Sequence, residues 1–377
     1  MRIIIASEIF PPDPGGPATY VTRIVPELLK LGNEVQVVTY ADVEESTLEN
    51  IDGYKVFKIP RQTNILFKYF NYFRQLHHLA KKADLIYAQG LFASGIPAIL
   101  VKWFLNIKVV VKVVGDVAWE RAKNEYDIPE LLDDFQDKKY SFNIEVLKYI
   151  EHYIAKNVNT IITPSKYLKS IISKWEVPDN SIQVVYNSFE SLNTNNLEKE
   201  KNNLLYVGRL TNWKGLEAII EVIPKLKDKY PDILFNIVGD GPLKNNLNNL
   251  INKLNLENSV KLVGQVDHDK VGDYYAQASI FLLNSGYEGL PHVLLEALAS
   301  SVPIIASRMG GNPEVIEDNI NGYLVEYNNK EEIFTKIDSL LSDPSKQAEF
   351  IEKGKEVLNK FTFNNMVEET NKILKNI

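Results

Sequence analysis

The stretch Asn284–Glu296, NSGYEGLPHVLLE, continued by Ala297-Leu298-Ala299-Ser300, decides how the rest of this chain is read. It follows a short apolar run, Ile280–Leu283, with the character of a buried strand. It then opens a helix, because Val293, Leu294, Ala297 and Leu298 recur at helical spacing. Pro291 suits the first helical turn, where a missing N–H costs nothing. Gly286 and Gly289 let the backbone approach a ligand closely, and a helix start offers unpaired N–H groups with partial positive charge. Two carboxylates flank that start, Glu288 in the loop and Glu296 on the helix, with seven residues between them. Phosphate at the helix end with a carboxylate to either side would suit a sugar nucleotide. Sugar and ribose hydroxyls donate to carboxylates, while a diphosphate takes the N–H groups. The plainer alternative makes Glu288 a loop charge and Glu296 a solvated helix residue, and the surrounding chain has to decide.

Working outward, strand–loop–helix units surround this stretch. Leu204–Val207 reads as a strand, followed by Gly208-Arg209, Lys214-Gly215 and a helix to about Tyr230. Leu234–Val238 is a strand running into Gly239-Asp240-Gly241-Pro242, and Val260–Val263 and Pro303–Ser307 are further strands. Met309-Gly310-Gly311-Asn312-Pro313-Glu314 opens another helix, a strand follows Asn321-Gly322, and the last helices run from about Lys330. The first half repeats the grammar. Arg2–Ala6 is a continuous β-branched run, then the loop Phe10–Pro17 leads into a helix with Gly16 at its cap and Pro17 first inside. Gly32 ends that helix and Glu34–Thr39 returns as a strand. Strands over Asp84–Gln89, Lys108–Val114, Thr160–Pro164 and Ile182–Val185 follow, separated by helices. Glu190–Asn203, rich in Asn and Glu and poor in apolar residues, is the linker expected between the halves. Alternating strands and helices predict an α/β chain of two doubly wound domains, with ligand loops at strand C-termini and a cleft between them.

Length and composition agree. A chain of 377 residues holds two domains, each large enough for its own core, and 45% apolar with 24% charged residues is globular composition. No run of about eighteen apolar residues occurs, so no membrane span is expected. The apolar run at the N-terminus is too short for a secretory signal, and a cytoplasmic location is the expectation. The absence of Cys excludes disulfides and thiolate metal sites. His77, His78, His152, His268 and His292 show no ligand spacing. The first 185 residues carry 22 basic and 22 acidic side chains and the remainder 20 and 27, so the net charge of −7 belongs to the second half. Neither half shows a basic face that would serve a nucleic-acid partner.

Taken together, GGPATYV, YVGRLTNWKG, IVGDGP, GYEGLPHVLLEALASSVPIIAS and GGNPEVIEDNINGYLV resemble the retaining, nucleotide-sugar-dependent glycosyltransferases of family 4, which have the GT-B fold. The stretches stand in family order and cover most of the second half, while the first half matches in topology and its glycine loop. The resemblance implies two Rossmann-like domains facing each other across a cleft. Residues 1–188 would bind acceptor, 189–355 would bind donor, and a helix in 356–377 would pack back on the first domain. It implies that Glu288 contacts hydroxyls of the donor sugar and Glu296 the ribose. Gly289, Leu290 and Pro291 would present N–H groups to sugar and phosphate, Arg209 and Lys214 would hold the diphosphate, and Gly239 would also touch the donor. Gln265 and Val266 would hold the base, and Gly15 and Gly16 belong to the loop that closes on the donor. Its mechanism is front-face substitution, in which the departing phosphate oxygen takes the acceptor proton. Charge builds on that phosphate, and with no metal motif the preorganised cations Arg209 and Lys214 must neutralise it.

Four further expectations complete the reading. Asp116 ends a strand at the position where relatives touch sugar or acceptor, and the catalytic and turn-forming readings of it stay open, Asp being a common turn residue. Trp119-Glu120-Arg121 would shape the acceptor pocket, and Asn187 marks the hinge. Asp267-His268-Asp269 has the form of a D-x-D metal motif, but its place before a helix reads as a cap, so neither metal nor other cofactor is expected. In Leu66–Ala83 one face, with Leu66, Tyr69, Phe70, Phe73, Leu76 and Ala80, would pack on a sheet. Phe67 and Tyr72 would then face outward among basic residues, a pattern that also suits peripheral contact with the inner membrane face. The partners expected are a nucleotide-sugar, with uridine the preferred base, and a glycan or lipid-linked acceptor in cell-surface assembly. A glycogen- or sucrose-type transferase, a nucleotide-sugar epimerase and a catalytically silent binding protein remain as alternatives.

Overall fold

Two parallel sheets carry the chain, and they account for nearly all of its continuous apolar runs. The computed structural model describes residues 1–62, 64–189, 192 and 197–377. Within the expected linker, residues 190, 191 and 193–196 lie outside the described residues. The first sheet holds β1 (Arg2–Ala6), β2 (Glu34–Ala41), β3 (Thr47–Ile51), β4 (Tyr54–Pro60), β5 (Leu85–Ala88), β6 (Lys108–Lys112), β7 (Thr160–Thr163) and β8 (Ile182–Val184). The second holds β9 (Asn203–Val207), β10 (Leu234–Val238), β11 (Val260–Gly264), β12 (Ile280–Leu283), β13 (Ile304–Ser307) and β14 (Tyr323–Val325).

Their orders are β3-β4-β2-β1-β5-β6-β7-β8 and β11-β10-β9-β12-β13-β14. All ladders are parallel except β3–β4. Helices link the parallel strands, so both faces of the central strands are covered, and Ile3, Ile4, Ile5, Phe235, Ile237 and Phe281 are buried. In each sheet the strand order reverses beside the first strand, β1 or β9, and this is where doubly wound sheets leave room for a ligand. The loops after β9 and β12 therefore leave from neighbouring strands, with Ile280 beside Leu204 and Phe281 beside Leu205.

Contacts divide the chain into a unit of residues 1–185 with 364–377 and a unit of 186–363. These borders differ from 188/189 and 355/356. The helix Pro344–Leu358 runs through position 355 and packs on the helix His292–Ala299, with Phe350 buried, and Phe361 meets the Tyr186 ring at 5.0 Å. Residues 364–377 belong with the N-terminal unit, where Asn33 Nδ2 donates to Asn371 Oδ1 at 3.0 Å.

Three local differences have physical causes. The antiparallel pair β3–β4 leaves no periodic signal in the sequence, because TLENI is polar and largely exposed, as an edge strand is allowed to be. The first helix, Gly16–Lys30, is capped by Gly15, not Gly16, and Pro291 occupies the cap position of His292–Ala299. The helix Ile65–Ala80 turns Tyr72, Leu76 and Ala80 inward. Leu76 and Ala80 are buried and Phe67 exposed, as expected, but Tyr72 is buried because its hydroxyl donates to the carbonyls of Ser7 and Val38, while Leu66 and Phe70 face out. Among the described residues no helix is long and apolar enough to cross a membrane.

Candidate functional site

The C-terminal unit gathers Arg209, Lys214, Glu288 and Glu296 on elements that follow β9 and β12. The loop after β9 closes in a 3-10 turn, Asn212–Lys214, and ends at Gly215. It is tied to the loop after β12 by backbone, since the Gly286 N–H donates to the Trp213 carbonyl at 2.7 Å. Asn284 Nδ2 adds a bond to the Gly215 carbonyl at 2.9 Å and one to Asn328 Oδ1 at 2.8 Å. With both loops held, Lys214 Nζ lies 2.5 Å from Glu288 Oε1, each side chain 15% exposed. A pair so shielded yet still reachable is suited to meeting a polar ligand, because a lone charge there would be poorly solvated.

Glu288 is also held from behind. The Gly311 N–H donates to the Glu288 carbonyl at 2.8 Å. Gly310 has φ +58°, and a Cβ on it would run into that same carbonyl oxygen, so only glycine fits this close approach. The segment is anchored in turn by Asn312 Nδ2, which donates to the Ser307 carbonyl at 2.9 Å, and by Ser307 Oγ, which donates to the Ser285 carbonyl at 2.5 Å.

Glu296 sits one face further along the helix His292–Ala299. Its Oε2 accepts from the hydroxyl of Tyr275 at 3.0 Å. Burial, and next the Glu296 charge, push the Tyr275 phenol well above its ordinary pKa, so it stays a proton donor. Arg209 is exposed, and its carbonyl accepts from the buried Tyr206 hydroxyl at 2.9 Å. Gly289 is partly buried, while Leu290 and Pro291 are buried. Gly239 has φ +132° and bridges Gly264, and a side chain there would strike the Gly208 carbonyl. Gln265 is exposed and Val266 half-buried just beyond β11. Asn187 Nδ2 lies 3.2 Å from His292 Nε2.

Gly15, Gly16 and Asp116 belong to the N-terminal unit. Gly15, at φ +143°, and Gly16 start the first helix. Asp116 caps the helix Val117–Tyr126 and is only 2% exposed. Its oxygens accept from the Trp119 N–H at 2.7 Å and from Gln136 Nε2 at 2.8 Å. Glu151, equally buried, accepts from the N–H groups of Val117 and Ala118 at 3.1 and 3.2 Å and shares a hydrogen bond with Asp116. Desolvation raises both carboxyls above their ordinary range, Glu151 strongly. Asp267 stands at the cap position of His268–Gln277 but makes no side-chain cap bond; it lies 3.6 Å from Lys270. Among the described residues no three His, Cys, Asp or Glu are grouped to hold a metal.

Sequence reasoning missed Tyr275 and Glu151. Each reads as an ordinary helix residue, and each meets its partner across more than twenty positions, so no local spacing reveals the pairing.

The chain has known relatives. Residues 187–357 match the family described as "Glycosyl transferases group 1", and residues 14–190 match "Glycosyltransferase Family 4". An uncharacterized glycosyltransferase of Haemophilus influenzae is 32% identical over 62% of this chain and 67% of its own length. A Klebsiella pneumoniae protein from a cps region is 30% identical over 68% of this chain and 69% of its own. Anabaena HepE, solved with UDP, superposes with a TM-score of 0.76 at 18% identity over 100% of both chains. Two Rossmann-like units with mainly parallel sheets are the GT-B type of α/β fold. The chain belongs to the group 1, family 4 glycosyltransferases of GT-B fold.

Proposed function

We propose that this glycosyltransferase moves a hexosyl group from a UDP-sugar to an acceptor hydroxyl, with retention at the anomeric carbon and without a metal. The acceptor would be a glycan or lipid-linked glycan of cell-surface assembly. The single observation that carries the reading is the Lys214–Glu288 pair beside the start of the helix His292–Ala299. A carboxylate suits sugar hydroxyls there, and the lysine with the exposed Arg209 suits a diphosphate that gains charge as it leaves. Gly289, Leu290 and Pro291 would offer backbone to the sugar and phosphate, Glu296 would take the ribose, and Gly239, Gln265 and Val266 would border the nucleotide. Gly15 and Gly16 would also take part in donor binding, as the family resemblance implies. Asp116, with both oxygens occupied, enters as the group that fixes its own turn and not as one touching the reacting atoms.

Uridine as the base is supported by HepE, which was solved with UDP, and the cell-surface role by the cps-region relative. A panel of UDP-, GDP- and ADP-sugars scored by thermal shift tests the base. A ligand at about 100 times its Kd adds about 2.7 kcal/mol of stability, so the UDP-sugars should give the largest shift. Product NMR then reads anomeric configuration, and chelator should leave turnover intact. Loss in chelator with recovery in manganese would overturn the metal-independent reading.

A further inference from the structure

Two helices of the N-terminal unit turn apolar stripes outward. On Ile65–Ala80 the positions 66, 70, 73 and 77 recur at helical spacing, and Leu66 is 77% exposed. On the helix Phe142–Asn157, Phe142, Val146, Tyr149 and Tyr153 repeat that spacing, and all four are exposed, Phe142 at 81%. Between them the helix Gly95–Leu105 ends in Trp103 and Phe104, both exposed. The rings are continuous. Phe104 lies 5.7 Å from Phe73, Trp103 lies 6.1 Å from Tyr153, and Tyr153 stacks on Tyr149 at 6.0 Å. Helices that only pack on a core point such stripes inward, and a contiguous exposed patch of this kind marks an interaction surface.

On the helices Ile65–Ala80 and Gly95–Leu105 the charge is one-sided, whereas Phe142–Asn157 carries Lys148 and Lys156 against Glu145 and Glu151. Residues 62–115 contain seven basic side chains and a single acid, Asp84, in a chain whose net charge is −7. Lys112 is buried, while Arg74, Lys81, Lys82 and Lys108 are exposed; Asp84 accepts from the Arg2 N–H. A second copy of the chain would bring the same positive excess to a self-complementary contact and be repelled.

We propose that this three-helix face rests on an anionic lipid bilayer, with the aromatic rings at headgroup depth and the basic side chains against lipid phosphates. It is wider than the single helix that the sequence singles out, and Tyr72 has no part in it. Binding is read without turnover, so the proposal stands or falls independently of the transferase reading.

The test is flotation of the full chain with phosphatidylcholine vesicles, with and without phosphatidylglycerol. Binding should require phosphatidylglycerol, and Trp103→Glu/Phe104→Glu should lower the partition coefficient about tenfold. Tyr149→Glu, on a different helix, should weaken it as well, and thermal melting checks that each variant is folded. Wild type that does not float with phosphatidylglycerol vesicles overturns the proposal, as does flotation unchanged by the Trp103/Phe104 variant. Light scattering that shows a dimer which this variant dissolves would make a second copy the occupant instead.

Discussion

Glu288 and Asp116 stand at equivalent places in the two units, each just past the end of a parallel strand and just before a helix, yet they live in opposite surroundings. Glu288 keeps some solvent and has a lysine at 2.5 Å. Asp116 has almost no solvent and shares a hydrogen bond with a second buried acid. The same local grammar thus yields a charge that can meet a ligand in one unit and a buried clamp in the other. Burial and the partner, not position after a strand, decide which.

Four substitutions at three residues sharpen or break that contrast. Glu288→Ala should lower turnover about 10²–10³-fold, the size of effect seen when one preorganised electrostatic contact is removed, while nucleotide affinity changes far less. Equal losses in steady-state turnover and in nucleotide binding by calorimetry would place Glu288 on the wrong part of the ligand. Glu151→Ala should act on stability, costing about 1–3 kcal/mol, because it leaves the N–H groups of Val117 and Ala118 and the Asp116 carboxyl without their partner. Thermal unfolding reads it, and an unchanged melting temperature would separate the pair from the fold.

The same pair carries a pH dependence. Both carboxyls are raised in the folded chain, so the stability they contribute is complete below their unfolded values of 3.8 and 4.5 and is lost as pH rises through the folded values. Melting temperature should therefore fall as pH rises above those unfolded values, and Glu151→Gln, whose amide cannot ionise, should flatten that slope. The smallest effect belongs to Tyr275→Phe. Loss of the hydroxyl that orients Glu296 should cost about 1 kcal/mol, roughly fivefold in donor KM with kcat nearly unchanged. A fall in kcat alone would remove Glu296 from the ribose.

The parts legible in the sequence were those that depend on near neighbours. Continuous apolar runs such as Ile3–Ile5 and Ile280–Leu283 announce buried strands, and glycine with proline announces the loops between them. The Glu288 stretch and the Arg209–Lys214 loop could be linked through their family resemblance before any geometry was known. Interactions between distant segments were not legible. Tyr72 defeats the hydrophobic pattern of its helix because two carbonyls, from Ser7 and Val38, reward its burial. The edge strand Thr47–Ile51 has no apolar face to betray it, and its pairing comes from β4.

The fit of Gly310 against the Glu288 carbonyl has a practical corollary for anyone recombining such enzymes. The orientation of the acidic loop is inherited from a segment about twenty residues downstream, beyond the next strand. A graft of residues 284–296 into a relative would therefore carry the side chains without their mould. Moving residues 284–312 as one cassette would transfer both.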